Sequence, residues 1–133
     1  MKKTFKKIIA SIMAVTTLTV CTTGFSASAV EPRYGGTGTF YVNGVAVHKS
    51  IDGYKSSASA TTRCDSESCS FVYVSVYGYY TDTQSKTDYG SKIRGTITKY
   101  FNAETGKKFI KVESYHSATV NHVNDTEDMV VNL

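Results

Sequence analysis

The run Phe71-Val72-Tyr73-Val74-Ser75-Val76-Tyr77-Gly78-Tyr79-Tyr80 constrains this chain more than any other stretch. It holds only aromatic, β-branched and small side chains, which suit a pleated surface rather than a helix. Side chains alternate along a strand. Val72, Val74 and Val76 therefore share one face, and Phe71, Tyr73, Tyr77 and Tyr79 share the other. Three valines at period two need a dry surface, so their face is expected to point into a core. The opposite face becomes an aromatic ladder. Its rings are expected to stay partly exposed unless a loop, such as residues 82–91, folds over them.

The chain before residue 30 reads as an export signal. Lys2, Lys3, Lys6 and Lys7 are followed by an apolar stretch over residues 8–20 and then by Ala27-Ser28-Ala29, the small-x-small pattern of a cleavage site. That apolar stretch is shorter than the roughly 20 residues a spanning helix needs. The reading is therefore a cleaved signal peptide, 1–29, and one secreted domain, 30–133, with no stable membrane insertion. Leu18-Thr19-Val20-Cys21 offers an alternative, a lipid anchor through Cys21, although such boxes carry a small residue where Val20 stands. Cleavage also changes the charge argument. Four of the 15 basic residues and none of the 11 acidic ones lie in 1–29, so the remainder is balanced and carries no basic surface for nucleic acid.

Within 30–133 the only Leu is Leu133, the only Met is Met129 and the only Pro is Pro32. Strong helix formers are scarce, and valine, threonine and tyrosine dominate. This predicts an all-β fold, a single antiparallel β-sandwich of about seven strands. Residues 30–37, with Gly35 and Gly36, read as a lead-in. Asn43-Gly44 between Phe40-Tyr41-Val42 and Val45-Ala46-Val47 predicts a tight hairpin. Asp52-Gly53 marks a turn. The Ser/Ala/Thr-rich stretch 54–63 is then expected to pair with the Phe71 strand, Ala60 opposite Tyr73 and Thr61 opposite Val72. An even cysteine pair in an exported chain reads as a disulfide, so Cys64 and Cys69 are expected to staple that hairpin. A bridge across so short a loop contributes about 2 kcal/mol by chain entropy and also sets the register. Residues 82–91 read as a polar loop. A strand over 92–100 should carry Ile93 and Ile97 on one face. Residues 102–106 read as a turn, and a run over 107–120 should place Ile110, Val112, Ala118 and Val120 inward and Lys111, Glu113 and Tyr115 outward. An acidic turn over 124–128 and a short last strand over 129–133 complete the pass.

No nucleophile elbow, phosphate loop or zinc-protease motif is present. The carboxylates sit in stretches read as turns, as solvated charges rather than a catalytic pair. Residues 125–128 lack the spaced oxygen ligands of a calcium loop, and the cysteine pair lacks nearby histidines for zinc. His116 has inward parity beside Ala118, the setting of a hydrogen-bonded structural histidine rather than of a cluster with His48 and His122. Asn124-Asp125-Thr126 matches a glycosylation acceptor, but the signal segment has a bacterial character. No catalytic residue, metal or cofactor is assigned. Phe71, Tyr73, Tyr77 and Tyr79 remain as the candidate binding residues, since rings at alternate positions stack on sugars or anchor a protein. Their competing role is cross-strand packing within the fold.

In texture, the Ser/Ala-rich strand, cysteine pair, Tyr-rich strand and late His116-Ser117-Ala118-Thr119-Val120 resemble small exported Ser/Tyr-rich β-proteins of Gram-positive bacteria. Gly38-Thr39-Phe40, Lys55, Ser59-Ala60-Thr61 and the late His-Ser-Ala-Thr-Val also resemble the lactococcin-like bacteriocins, whose pattern has Trp where Phe40 stands and lacks the cysteine pair. That second resemblance implies a β-sandwich antimicrobial acting on the cell-wall synthesis of competing bacteria. Three function classes follow. The first is a non-catalytic binding protein that engages an extracellular glycan, a cell-wall component or a protein through the tyrosine face. The second is a bacteriocin-like antimicrobial, and the third a small hydrolase or hydrolase inhibitor. The pattern carries no information on oligomeric state.

Overall fold

The computed structural model describes residues 30–133; the expected signal peptide and Cys21 lie outside them. Eight strands and no helix are found among the described residues: β1 (Tyr34–Val42), β2 (Val45–Gly53), β3 (Ser57–Cys64), β4 (Cys69–Tyr79), β5 (Ser85–Lys92), β6 (Gly95–Asn102), β7 (Lys111–Val120) and β8 (Val123–Asn132). They form two four-stranded antiparallel sheets, sheet I in the order β1-β2-β3-β6 and sheet II in the order β5-β4-β7-β8. The sheets pack face to face. Ile51, Ala58, Ala60 and Phe101 of sheet I meet Val74, Val76 and Val112 of sheet II in one core cluster. Phe40, Val42, Val47 and Cys64 meet Cys69, Val72, Ala118 and Val120 in a second.

The alternation in β4 holds. Val72, Val74 and Val76 are fully buried, each a contribution of roughly 1.5–3 kcal/mol in transfer free energy, and Tyr80 is buried with them. The Asn43-Gly44 hairpin also forms, with both residues at positive φ (48° and 78°), as a two-residue primed turn requires. A second turn of this kind joins β7 to β8 at Asn121 and His122 (φ 49° and 68°), where the sequence carries no glycine to announce it.

Several expectations need correction. Residues 30–37 are no mere lead-in, because β1 starts at Tyr34 and pairs with β2 back to Gly53. Residues 82–91 are not a loop over the tyrosines. They supply β5, which lies beside β4 in the same sheet. Ile93 stands in the β5–β6 turn and is 75% exposed, while Ile97 packs against the core. The acidic stretch 124–128 belongs to β8, and Ile110 precedes β7 and is exposed.

The largest correction concerns β3. It does not pair with β4 but with β2 and β6, so Ala60 opposes Ile51 and Lys99 rather than Tyr73. Residues 65–68 cross from one sheet to the other, and β3 lies over β4 instead of beside it. The small inward residues Ala58 and Ala60 then face the valines of β4 across the core and leave room for Tyr80, Phe101 and Phe109. The stapled hairpin is accordingly absent. Cys64 ends a strand of sheet I and Cys69 begins a strand of sheet II. Their buried sulfurs are unbonded, 3.2 Å apart, where a disulfide needs about 2.05 Å. Cys69 points inward with Val72, despite their opposite parity, because a bulge at Ser70 shifts the register of β4 against β7.

Phe109 was not expected in the core. It lies in the irregular connection between β6 and β7, is 1% exposed, stacks on Tyr80 at 4.8 Å between centroids and meets Phe101 edge-on at 5.6 Å. Gly78 is what admits it. A Cβ at that position would fall 2.6–2.8 Å from three atoms of the Phe109 ring.

Candidate functional site

The outer face of sheet II carries the aromatic ladder. β4 supplies Phe71, Tyr73, Ser75, Tyr77 and Tyr79. The register sets Tyr89 of β5 and Tyr115 of β7 on either side of Ser75. Ser75 is 2% exposed and has four tyrosines as its neighbours on this face, two along its own strand and two across from it. Small Ser91 and Ser117 flank Tyr73, which leaves its ring free to lean over the sheet. Phe71 stacks on Tyr73 with centroids 6.5 Å apart, and Tyr73 meets Tyr115 at an interplanar angle of 71° and 6.1 Å. Side chains of β7 and β8 complete a groove of about 650 Å³ whose lining includes Tyr73, Tyr77, Tyr79, Glu113, Tyr115 and Asp128. That volume falls within the range of small-ligand sites.

All four ring residues singled out from the sequence lie on this face. Phe71 is 38% exposed, and Tyr73, Tyr77 and Tyr79 are half-buried. Tyr115, Tyr89 and Asp128 join them but were not singled out. The outward parity of Tyr115 was legible, whereas its place beside Ser75 depends on the β4–β7 pairing across some forty positions of chain, which no local pattern encodes.

One end of the groove is charged. The Tyr79 hydroxyl donates to Glu113 Oε2 at 2.8 Å, and Lys111 Nζ lies 2.8 Å from Glu113 Oε1 and 4.2 Å from the Tyr79 ring centroid. Lys111 first, and Tyr79 second, hold the Glu113 carboxyl below its usual range; the same carboxylate, more than burial, holds the Tyr79 hydroxyl above its own. Glu113 is thus an ionised, fixed acceptor near neutral pH. Rings with exposed faces and an oriented carboxylate can stack on a ligand and accept its hydrogen bonds.

The three histidines occupy three different places. His48 lies on the outer face of sheet I, its Nδ1 3.1 Å from Thr39 Oγ1, and His122 is in the exposed β7–β8 turn. His116 is fully buried between the sheets, with Nδ1 2.8 Å from Thr62 Oγ1 and Nε2 2.8 Å from Ser114 Oγ. Thr62 donates its hydroxyl proton to the Tyr73 carbonyl at 2.9 Å. Nδ1–H must then donate to Thr62, and Ser114 must donate to Nε2, so one neutral tautomer satisfies every group. A serine beside a histidine invites a nucleophile reading, but both are closed to solvent here. The chain of bonds joins sheet I to sheet II instead.

The residues that carry the bacteriocin resemblance scatter. Phe40, Ala118 and Val120 are core, Thr39, Ser59 and Thr61 face outward on sheet I, and Lys55 lies exposed in the β2–β3 connection. Compared with protein-family models, curated proteins and solved structures, the chain matches none.

Proposed function

We propose that this chain is a secreted, non-catalytic binding protein that engages an extracellular glycan, a cell-wall component or a protein through the tyrosine face of sheet II. The observation that supports it is the groove itself: four tyrosines, Tyr73, Tyr77, Tyr79 and Tyr115, gathered on one sheet, around a buried serine and beside a fixed carboxylate. Sheet I gathers no such cluster: Thr37, Ser50, Thr61 and Thr98 form one cross-strand row on its outer face, and its exposed rings Tyr41 and Tyr100 stand on opposite edge strands, β1 and β6. Replacing both Tyr73 and Tyr77 with Ser should leave the far-UV circular dichroism spectrum and cooperative unfolding in place. It should weaken binding, on a glycan array or to Gram-positive cell walls, at least ~10-fold, equivalent to about 1.4 kcal/mol. A double variant that unfolds would show the ladder to be core and the binding-face reading to be wrong.

The cysteine pair belongs to the same reading of an exported protein. In an oxidising exterior the facing sulfurs of Cys64 and Cys69 are expected to join, losing two electrons and two protons to an external thiol oxidant, and so to tie sheet I to sheet II. Burial first, and the neighbouring Cys69 second, hold the Cys64 thiol above its ordinary range, so oxidation should be slow at neutral pH and faster in alkaline medium. A mass spectrum of the secreted protein should be lighter by two hydrogens before reduction than after it. Two alkylatable thiols in the unreduced, denatured protein would exclude the bridge.

A further inference from the structure

We infer that the groove on sheet II receives an organic cation, and that a quaternary ammonium of the choline type is the chemistry it fits; this rests on the reading of that face as a binding surface. The face already holds one ammonium. Lys111 Nζ sits 4.2 Å from the Tyr79 centroid and 2.8 Å from Glu113 Oε1, so one ring and one carboxylate share a cation. Lysines elsewhere in the fold also use rings, with Lys49 over Phe40, Lys86 over Phe101 and Lys107 over Tyr80. Further along the groove the same chemistry recurs without a lysine. Tyr73, Tyr77 and Tyr115 stand around Ser75, and Asp128 lies directly across the strand pair from Tyr115.

The geometry offers a cation a corner of rings to rest against. Tyr73 and Tyr115 meet at 71°, so their ring planes form a corner rather than a flat stack. Among the described residues no ion pair or side-chain hydrogen bond engages the Asp128 carboxylate. Lys49 pairs with Glu127 and reaches only the Asp128 backbone carbonyl, at 3.4 Å. The groove therefore presents an uncompensated negative charge beside three aromatic rings. Ring quadrupoles and a carboxylate both attract a cation. A primary ammonium is a compact and strongly hydrated charge that surrenders its water reluctantly. A quaternary ammonium is weakly hydrated and has methyl groups to lay on the rings, so its desolvation opposes binding less.

The test is a titration of the isotope-labelled protein, followed by the ring signals of Tyr73, Tyr77 and Tyr115, with three probes: choline, its uncharged tert-butyl isostere, and a blocked lysine amide. Choline should shift these signals saturably and bind at least ~10-fold more tightly than the isostere, with the lysine amide weaker than choline. Asp128→Asn should weaken choline about 5- to 10-fold and leave the isostere unchanged. Equal binding of choline and isostere, or an Asp128→Asn variant that holds choline as well as the parent, would overturn the cation assignment. A lysine amide that binds more tightly than choline would overturn the quaternary assignment. In either case, Tyr73- and Tyr77-dependent binding to cell walls or the glycan array would leave the binding face standing. If neither the probes nor those surfaces bind, both readings fall together.

Discussion

Replacing Phe109 with Ala should destabilise the domain by roughly 3–5 kcal/mol, the range for removing a fully buried aromatic ring. Against a total of about 5–15 kcal/mol for a domain of this kind, that is a large share. The ring is the only large side chain that the β6–β7 connection inserts between the sheets, and it bridges Tyr80, just past the end of β4, to Phe101 of sheet I. The backbone fixes it there, with Phe109 N–H donating to the Lys55 carbonyl at 2.8 Å and Ile110 N–H to the Tyr79 carbonyl at 2.8 Å. Little else could move to fill the void. Gly78→Ala should destabilise for the opposite reason, by roughly 1–3 kcal/mol, because its methyl would stand 2.6–2.8 Å from the ring and force it aside. In the Phe109→Ala background the same methyl enters vacated space and should be neutral or stabilising. Urea denaturation of the two single variants and the double variant closes the cycle. Additive losses, or a loss below about 1 kcal/mol for Phe109→Ala, would contradict this account of the core.

Stability should also fall steeply with acid because of His116. Burial first, and Lys49 second, push its imidazole down to about 4, with Glu127 opposing. In the unfolded chain the same group titrates near 6.5. Between these values the unfolded chain holds a proton that the folded protein does not, so unfolding takes up a proton and stability rises with pH. The contribution is complete above about 6.5, declines as pH falls, and is gone below about 4, a change of up to roughly 3 kcal/mol. Protonation would also place an N–H at Nε2, where Ser114 already donates, and so break the bond order that satisfies Thr62, Ser114 and the Tyr73 carbonyl. His116→Leu should be less stable at pH 7, since Ser114 loses its partner, yet should have a flatter profile between pH 6.5 and 4. Carboxylates such as Glu113, held low by Lys111 and Tyr79, lose their contribution in more acidic solution and do so in both proteins. An unchanged slope in the variant across that window would show that His116 is not the titrating group.

The strand alternation of residues 71–80, the burial of Val72, Val74 and Val76, the hairpin at Asn43-Gly44 and the inward parity of His116 were all legible in the chain. Each rests on an interaction within a few residues: side-chain period, a turn's need for positive φ, or the preference of β-branched groups for a pleated surface. The four aromatic residues were placed on one face for the same reason. Beyond the β1–β2 hairpin the strand partners were not legible, because a strand can hydrogen-bond on either edge and a short connection suits both a hairpin and a crossing between sheets. Residues 65–68 looked like a hairpin loop. Only the pairing of β3 with β2 and β6 turned them into a crossing, which placed Ala58 and Ala60 under the valines instead of beside the tyrosines. Polar alternation in β5 and β8 hid two edge strands, since their outer faces are wet and their inward faces carry Lys86, Asp88 and Glu127 at the open rims of the sandwich. The ring of tyrosines about Ser75, and Asp128 across from Tyr115, are products of the β4–β5, β4–β7 and β7–β8 registers. Local propensity decided the strands with a strong apolar alternation, β4 above all, and which way their side chains face. Which strands are neighbours, and therefore whether an aromatic stripe becomes a groove, was decided by the packing of two sheets around one set of buried side chains.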